Sequence, residues 1–414
     1  MKKGLLIFIC LICVFSLVFC SKEGRQKASD KTISLYIWGE PQKPAMEKVI
    51  ENYTKATGVK VEITLIPYGQ FWTKLQTSLP SENGPDVFWC NYSHAIDYYP
   101  AGLVQEIQSY VDRDKVDLSP FPAALREMYS YNGKAYGIPK DYDTIALFYN
   151  KALFDAKGVA YPSNDWTWTD LKQAAIALTD QATDTYGFAV WATEQEVVYP
   201  FIFSNDGTVL SPDGRTFNFS NPRAVETLQW LMDLIHVNHA GPTYAELKEL
   251  SQGERFLAGK LAMLTSGSWD VKDFYDAHGD NLGIVHIPAN RREGNTIHGL
   301  SFNISAKSPN KEEAWGLLKA FATKEAGEAQ AQIVIPAYEG ATQLWKNSYP
   351  KLDLQVFVDA ARISDPYATP LVAASAQFSA MYTMFEKIWN GADVVQACAE
   401  LDAECVRLAA ESGR

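Results

Sequence analysis

The sequence predicts an α/β fold in which strands and helices alternate along 414 residues. Alternating apolar residues mark short strands, capping residues mark helix starts, and 47% hydrophobic residues are sufficient for a large core. The chain length favours two domains. Because no internal repeat and no Pro/Gly/Ser-rich linker divides the chain, we expect the domains not to follow one another as separate consecutive segments.

Residues 32–66 predict the first strand–helix–strand unit. Apolar residues alternate over 33–37 and again over 59–65. Pro44 opens the helix between these strands, and Gly58 ends it. Two strands joined by a helix favour a parallel pair with a right-handed crossover.

The alternation of strands and helices continues along the chain. Further strands are predicted near residues 85–90, 144–149, 186–191 and 261–265. Helices are indicated by the capping box of Thr167 and Asp170, by Asn221 before Pro222, and by the segment 371–411.

The first twenty residues differ from the rest of the chain. Two lysines precede an apolar run over residues 5–19, which is the pattern of an export signal and is short for a membrane span. Cys20 closes this run, and the whole resembles a bacterial lipoprotein signal, although Phe19 stands where a small residue is usual. We expect residues 1–20 to be a lipoprotein signal peptide, Cys20 to carry lipid, and residues 21–31 to form a flexible tether. An uncleaved anchor and cleavage further along the chain are the alternatives.

Charge and cysteine content exclude several classes of protein. Acidic residues outnumber basic ones by 49 to 37, which argues against a nucleic-acid partner. Cys398 and Cys405 are about 10 Å apart on a predicted helix, too far for a disulfide. Cys10 and Cys13 fall within the predicted signal peptide, and beyond it the sequence contains no CxxC motif. It contains no HExxH, GxSxG or phosphate-loop motif either, and we expect neither a metal nor a cofactor.

Aromatic residues and carboxylates recur next to the predicted strand ends. In open parallel sheets, ligands bind beyond the carboxyl ends of the strands. The candidate ligand-binding residues there are Trp38, Glu40, Asn91, Tyr92, Asp141, Asp143, Trp191, Glu194, Glu196 and Trp269.

This combination of side chains suits a carbohydrate. One face of a pyranose ring consists of C–H groups, which pack on an aromatic plane, while its hydroxyl groups donate hydrogen bonds to carboxylates. A hydrogen bond to a charged partner contributes about 1.5–3 kcal/mol. Each residue taken singly also has a structural interpretation, in which tryptophans fill the core and acids cap helices.

Several motifs occur in a fixed order along the chain. They are Pro85-Asp86-Val87-Phe88, Gly102-Leu103-Val104, Tyr136-Gly137-Ile138-Pro139, Leu147-Phe148-Tyr149-Asn150-Lys151, Trp166-Thr167-Trp168-Thr169-Asp170-Leu171 and Ser308-Pro309-Asn310-Lys311-Glu312-Glu313-Ala314-Trp315. Together they resemble the extracellular solute-binding proteins of family 1, the group that includes maltose-binding protein. The resemblance covers residues 32–410.

The resemblance implies a two-lobed periplasmic-binding-protein fold of the class II type, with the ligand cleft between the lobes. Lobe one would contain residues 30–142 and 305–352, and lobe two residues 145–302 and 355–414.

The resemblance also assigns roles to individual residues. Asp143 aligns with an acid that binds sugar hydroxyls, Trp269 with a stacking tryptophan, and Phe378 with a second stacking aromatic. Around Asn91 the sequence departs from maltose-binding protein, so maltose is not assumed to be the ligand.

The sequence therefore predicts the extracytoplasmic substrate-binding component of an ABC transporter. We expect a monomer without enzymatic activity, held by its lipid in the periplasm or at the cell surface. It would capture a sugar, in our interpretation an oligosaccharide, and deliver it to the membrane permease. The alternatives are a receptor for another solute such as a glycerophosphodiester, a glycoside hydrolase with a carboxylate pair, and an adhesin or surface scaffold.

Overall fold

A computed structural model describes residues 31–412. The predicted signal peptide, Cys20 and nearly all of the predicted tether lie outside the described residues. The strands are β1 (Thr32–Ile37), β2 (Lys60–Leu65), β3 (Val87–Asn91), β4 (Ser130–Tyr131), β5 (Lys134–Ala135), β6 (Gly137–Asp143), β7 (Ile145–Asn150), β8 (Tyr186–Phe188), β9 (Leu261–Gly267), β10 (Leu282–Val285), β11 (Asn295–Ile304), β12 (Ile335–Pro336) and β13 (Ser364–Pro366).

Helices separate most of these strands. They are α1 (Lys43–Thr57), α2 (Tyr68–Ser78), α3 (Tyr92–Tyr98), α4 (Gln108–Asp114), α5 (Ala123–Met128), α6 (Lys151–Lys157), α7 (Trp168–Leu178), α8 (Tyr199–Ser204), α9 (Pro222–His236), α10 (Tyr244–Glu249), α11 (Gln252–Leu257), α12 (Val271–His278), α13 (Lys311–Phe321), α14 (Lys324–Gln330), α15 (Thr342–Lys346), α16 (Gln355–Ile363), α17 (Ala374–Trp389) and α18 (Val394–Glu411). In residues 31–412, no helix is both long and apolar enough to cross a membrane.

The first sheet has the strand order β12-β6-β11-β3-β1-β2, and β13 pairs with β11. β1 is parallel to β2 and β3, which confirms the parallel pair predicted for the start of the chain. Gly58 ends α1 with a φ of 78°, a left-handed conformation that glycine adopts readily. β11 runs antiparallel to both β3 and β6.

The second sheet has the strand order β10-β7-β9-β8. β7 is antiparallel to β9 and β10, whereas β8 is parallel to β9. β8 is shorter than the strand predicted near 186–191, because its pairing with β9 ends at Phe188 and Met263. Beyond that point the Ala189 amide reaches the Met263 carbonyl only at 3.4 Å.

The chain passes repeatedly between the two sheets. β6 ends at Asp143 in the first sheet, and β7 begins at Ile145 in the second. The side chain of Asn295, at the start of β11, fixes this passage, since it accepts from the Ile145 amide at 3.0 Å and donates to the Ile145 carbonyl at 2.6 Å. Each sheet therefore consists of stretches that are not consecutive in the chain.

Large aromatic side chains fill the cores on which the sheets rest. Trp89 and Trp315 are buried beside the first sheet, and Trp168 and Trp389 are buried beside the second. Burial of a large apolar side chain contributes about 1.5–3 kcal/mol, so these contacts hold the strand ends in fixed positions.

Candidate functional site

A cleft of about 380 Å³ lies where β1, β3, β6 and β9 end. Its walls come from both sheets and from the loops and helices next to them. It is lined by Trp38, Gln42, Tyr68, Asn91, Asp141, Tyr142, Asp143, Thr193, Glu194, Gln195, Glu196, Ser268, Trp269, His298, Leu300, Val334 and Tyr382. Of these, the sequence predicted Trp38, Asn91, Asp141, Asp143, Glu194, Glu196 and Trp269.

A second cavity, of about 420 Å³, adjoins the cleft and shares part of its wall. The shared residues are Tyr68, Asn91, Glu194, Gln195, His298 and Tyr382. Phe378 lines this side cavity and lies parallel to Tyr367 at 6.1 Å between ring centres. Phe378, which the sequence predicted as a stacking aromatic, therefore lines the side cavity, whereas Trp269 lines the cleft.

Three predicted ligand residues are not brought to the walls of the cleft or of the side cavity. Glu40 is exposed on a short turn, Glu40–Gln42, in which Gln42 faces the cleft instead. Tyr92 and Trp191 are half-buried and pack against the hydrophobic cores. Ligand contact by these three residues stays a prediction without support from the cleft geometry.

The sequence did not predict three other wall residues, because they lie on or next to strands that run antiparallel to β6. His298 and Leu300 are the fourth and sixth residues of the ten-residue β11, and Val334 precedes β12. Both strands run antiparallel to β6, so their amino-terminal ends meet the cleft. The rule that ligands bind beyond the carboxyl ends of parallel strands therefore does not find these residues.

Two tyrosines reach the cleft from helices. Tyr68 begins α2, directly after the loop that follows β2, and Tyr382 lies on α17. Tyr382 is one helical turn beyond Phe378, so the i, i+4 spacing from a predicted site residue was a signal that could have found it.

The two tryptophans of the cleft are held in place by their neighbours. Trp38 packs edge-on against Phe71 at 4.7 Å and against Trp89 at 5.3 Å between ring centres. The Trp269 indole lies directly over Gly267, where a Cβ atom would stand 2.0 Å from the ring carbon Cζ3. Glycine at position 267 is therefore required for this position of the indole, and both aromatic surfaces are rigid.

The carboxylates of the cleft retain free acceptor capacity. Asp143 accepts a hydrogen bond from Gln195 Nε2 at 2.6 Å, and its other oxygen lies 3.7 Å from His298 Nδ1. Glu194 accepts from the Tyr367 hydroxyl, and its Oε2 is buried with no partner among the described residues. Such an atom costs free energy unless a ligand group donates to it.

Two acids in or beside the cleft, Glu196 and Asp270, have raised pKa values. Burial raises the pKa of Glu196 to about 8, and the nearby Asp270 and Glu194 add to this shift. Burial also raises the pKa of Asp270 to about 6, against a hydrogen bond from Ser266. At neutral pH Glu196 therefore carries a proton, which it can donate to a ligand oxygen.

Cationic groups are scarce around the ligand space. No lysine or arginine is among the described residues that line the cleft. His94, beside the side cavity, stacks on Trp72 at 3.6 Å, and burial lowers its pKa to about 4, so it is neutral. In the part of the chain that the structure describes, no cluster of His, Cys, Asp and Glu side chains is able to hold a metal ion.

A family model of bacterial extracellular solute-binding proteins matches residues 38–328, well over half of the chain. The chain belongs to this family. The resemblance inferred from the sequence motifs is thereby confirmed. Solved structures that superpose on this solute-binding protein share the two-lobed fold of periplasmic binding proteins, which confirms the predicted fold class.

Individual relatives of this solute-binding protein are distant. The galactooligosaccharide-binding protein of Bacillus subtilis is 27% identical, with 76% of this chain and 75% of the relative covered. The erythritol/L-threitol-binding protein of Mycolicibacterium smegmatis is also 27% identical, with 72% of this chain and 68% of the relative covered. Among solved structures, an ABC substrate-binding protein from Listeria monocytogenes in complex with cycloalternan is 26% identical, with a TM-score of 0.86 and coverage of 91% and 99%.

Proposed function

We propose that this solute-binding protein captures an oligosaccharide outside the cytoplasm and delivers it to the permease of an ABC importer. The observation that carries the proposal is the combination of rigid aromatic faces and buried carboxylates in one cleft. Trp38 and Trp269 would pack on the C–H faces of sugar rings, while Asp143 and Glu194 would accept hydrogen bonds from hydroxyl groups.

The size of the ligand space supports an oligosaccharide over a single small sugar. The cleft of about 380 Å³ adjoins a side cavity of about 420 Å³, and the two share part of their walls. Each is within the range of roughly 300–1,000 Å³ that ligand sites occupy. The Bacillus subtilis relative is a galactooligosaccharide-binding protein, and the Listeria monocytogenes structure holds cycloalternan.

The charge of the cleft opposes the glycerophosphodiester alternative. A phosphate ligand is usually bound by arginine, lysine or a helix N-terminus, whereas Asp141, Asp143 and Glu194 line this cleft. We also propose that the protein leaves its sugar unchanged, since family members serve as solute-binding components of transport.

The anchor and the lobe boundaries are part of the proposal. Cys20 would carry lipid and residues 21–31 would tether the domain to the membrane. The lobes would comprise residues 30–142 with 305–352 and residues 145–302 with 355–414. Mass spectrometry of the exported protein tests the anchor, because a mature N-terminus beyond Cys20 without acyl groups would contradict it.

A thermal-shift screen tests the proposed ligand class. The panel contains maltotriose, galactooligosaccharides, arabinooligosaccharides and cycloalternan, with glycerophosphocholine as the competing solute. A ligand at 100 times its dissociation constant stabilises the folded state by about 2.7 kcal/mol, so a true ligand should raise the melting temperature clearly. Stabilisation by glycerophosphocholine alone, or cleavage of a sugar during incubation, would overturn the proposal.

A further inference from the structure

Lys140 lies in β6 next to the cleft but does not line it. Its side chain is 0% exposed, and its ammonium group donates hydrogen bonds to Gln42 Oε1 and to Asp141 Oδ2. The same nitrogen lies 4.3 Å from the centre of the Trp89 ring. Two of the three ammonium protons thus meet oxygen acceptors, and the nitrogen lies against the Trp89 ring, so the charge is satisfied within the fold and away from the ligand space.

The contact with Lys140 fixes which way the Gln42 amide faces. Because an ammonium group only donates, the atom that meets it has to be the Gln42 oxygen. The amide nitrogen Nε2 is then the atom left to donate, on a side chain that lines the cleft. Gly39 makes room for it, since a Cβ atom there would lie 3.1 Å from Nε2.

The contact with Lys140 also fixes the role of Asp141. One carboxylate oxygen, Oδ2, accepts from Lys140, while Oδ1 is buried without a partner among the described residues. Asp141 lines the cleft together with Gln42. Buried acceptors in folded proteins are nearly always satisfied, so Oδ1 is expected to meet a donor when the cleft is occupied.

We infer that Lys140 is a positioning residue that presents Gln42 as a donor and Asp141 as an acceptor to two neighbouring oxygens of the sugar. One hydroxyl group of the sugar donates to Asp141 Oδ1, and an adjacent hydroxyl or ether oxygen accepts from Gln42 Nε2. A pair of adjacent oxygens, such as a vicinal diol, satisfies both groups at once. This inference rests on the proposed sugar-binding function and adds the hydrogen-bond polarity of one part of the site.

The most direct test is Gln42→Glu, which leaves Lys140 in place. The variant keeps an acceptor oxygen toward the ammonium group and replaces the outward donor with a second acceptor. Calorimetric titration with cycloalternan and with maltotriose should show affinity reduced about 10- to 100-fold for whichever sugar the wild type binds. Affinity within twofold of the wild type would overturn the inference.

A double-mutant cycle separates positioning from a merely structural role. Lys140→Met should weaken sugar binding about 10- to 100-fold in the wild-type background. In the Gln42→Met background, the additional loss should be at least threefold smaller, because one of the two groups that Lys140 positions is already absent. Equal losses in both backgrounds would show that Lys140 does not act through Gln42 and would overturn the inference for that residue. Lys60→Met removes the same charge from an exposed position of β2 and is the matched control.

An NMR measurement without ligand tests the positioning of Gln42 by Lys140 independently of the proposed function. The side-chain amide signal of Gln42 in the NMR spectrum is assigned by its loss in Gln42→Glu. It should move and broaden in Lys140→Met but stay in place in Lys60→Met. If the wild type binds neither sugar, the sugar assignment is at fault, while this signal still decides the positioning by Lys140. An unchanged signal in Lys140→Met would contradict the inference.

Discussion

Gln195 Nε2 donates a hydrogen bond of 2.6 Å to Asp143 Oδ1, and this contact joins the two walls of the cleft. Asp143 is the last residue of β6 in the first sheet, whereas Gln195 follows β8 of the second. The carboxylate therefore already has one donor from the opposite wall and retains acceptor capacity for a ligand. In the proposed function, Asp143 would therefore be the residue where sugar binding and the contact between the two sheets meet.

Asp143→Asn should weaken sugar binding without unfolding the protein. The substitution keeps the shape and an acceptor oxygen for Gln195, but hydrogen bonds to a charge become ordinary ones. We expect a loss of about 1–2 kcal/mol, roughly 5- to 30-fold in affinity, in calorimetric titration. The melting temperature of the ligand-free variant is the control. An unchanged affinity with a lowered melting temperature would make Asp143 a structural residue only.

Trp269→Ala should cost more than the loss of a charge at Asp143. The substitution removes the flat surface that rests on Gly267 and admits water, so affinity should fall by about 2–4 kcal/mol. Trp269→Phe should recover much of the loss, because stacking needs an aromatic plane rather than the indole N–H. If both variants bind the sugar as the wild type does, Trp269 makes no stacking contact.

Glu196 should make the stability of the ligand-free protein fall as the pH rises. Its pKa is about 8 in the folded state against an ordinary 4.5, so between these values the folded protein holds a proton that the unfolded chain has lost. Unfolding free energy should decrease by about 2–4 kcal/mol between pH 5 and pH 8. Asp270, with a raised pKa of about 6, contributes in the lower part of this range.

Chemical denaturation of the wild type and of Glu196→Gln at pH 5 and pH 8 measures this dependence. The variant cannot ionise, so its stability should vary less with pH and should exceed that of the wild type at pH 8. Asp213→Asn, at an acid whose pKa is lowered instead, is the control. The same slope in Glu196→Gln and wild type would rule out Glu196 as the source.

Asp97 should favour the closed arrangement of the lobes. Its carboxylate on α3 accepts from the backbone amide of Ser375 at 3.0 Å and from the Ser375 hydroxyl at 2.7 Å, on α17. Asp97→Ala removes both bonds, so the ligand-free protein should show a larger radius of gyration in small-angle scattering. Sugar affinity should fall about 3- to 10-fold, because a smaller fraction of the protein is competent to bind.

Hinge closure predicts that a saturating sugar reduces the radius of gyration in both the wild type and Asp97→Ala. Asp233→Ala, at an exposed acid on α9, serves as the matched control and should leave both quantities unchanged. A radius that does not respond to Asp97→Ala or to sugar would contradict a role of this contact in closure.

Local patterns in the sequence were sufficient for most helices and parallel strands. The capping box of Thr167 and Asp170 and the glycine stop at Gly58 form as predicted, because they depend on neighbours within one turn. The ten-residue strand β11 was not predicted. It is buried along its whole length between β3 and β6. Leu300, Phe302 and Ile304 alternate with Ser301 and Asn303, so a strand signal was present in the sequence and was missed.

The candidate site was predictable where it depends on parallel strands. Trp38, Asn91 and Trp269 follow or end such strands, and the rule for carboxyl ends finds them. His298 and Tyr382 depend on how an antiparallel strand and a distant helix pack against the cleft, which single-sequence spacing does not encode. The hydrogen bond of Lys140 with Gln42, almost a hundred residues away, requires the tertiary structure for the same reason.

A crystal structure of the protein with the sugar that stabilises it most in the thermal-shift screen tests the central claim most directly. We predict electron density for an intact oligosaccharide in the cleft, with one ring stacked on Trp269 and hydroxyl groups within hydrogen-bond distance of Asp143 and Asp141. The sugar should continue toward the side cavity beside Phe378. Density for the sugar elsewhere on the surface, with the cleft filled only by water, would contradict the assignment of this cleft as the sugar site.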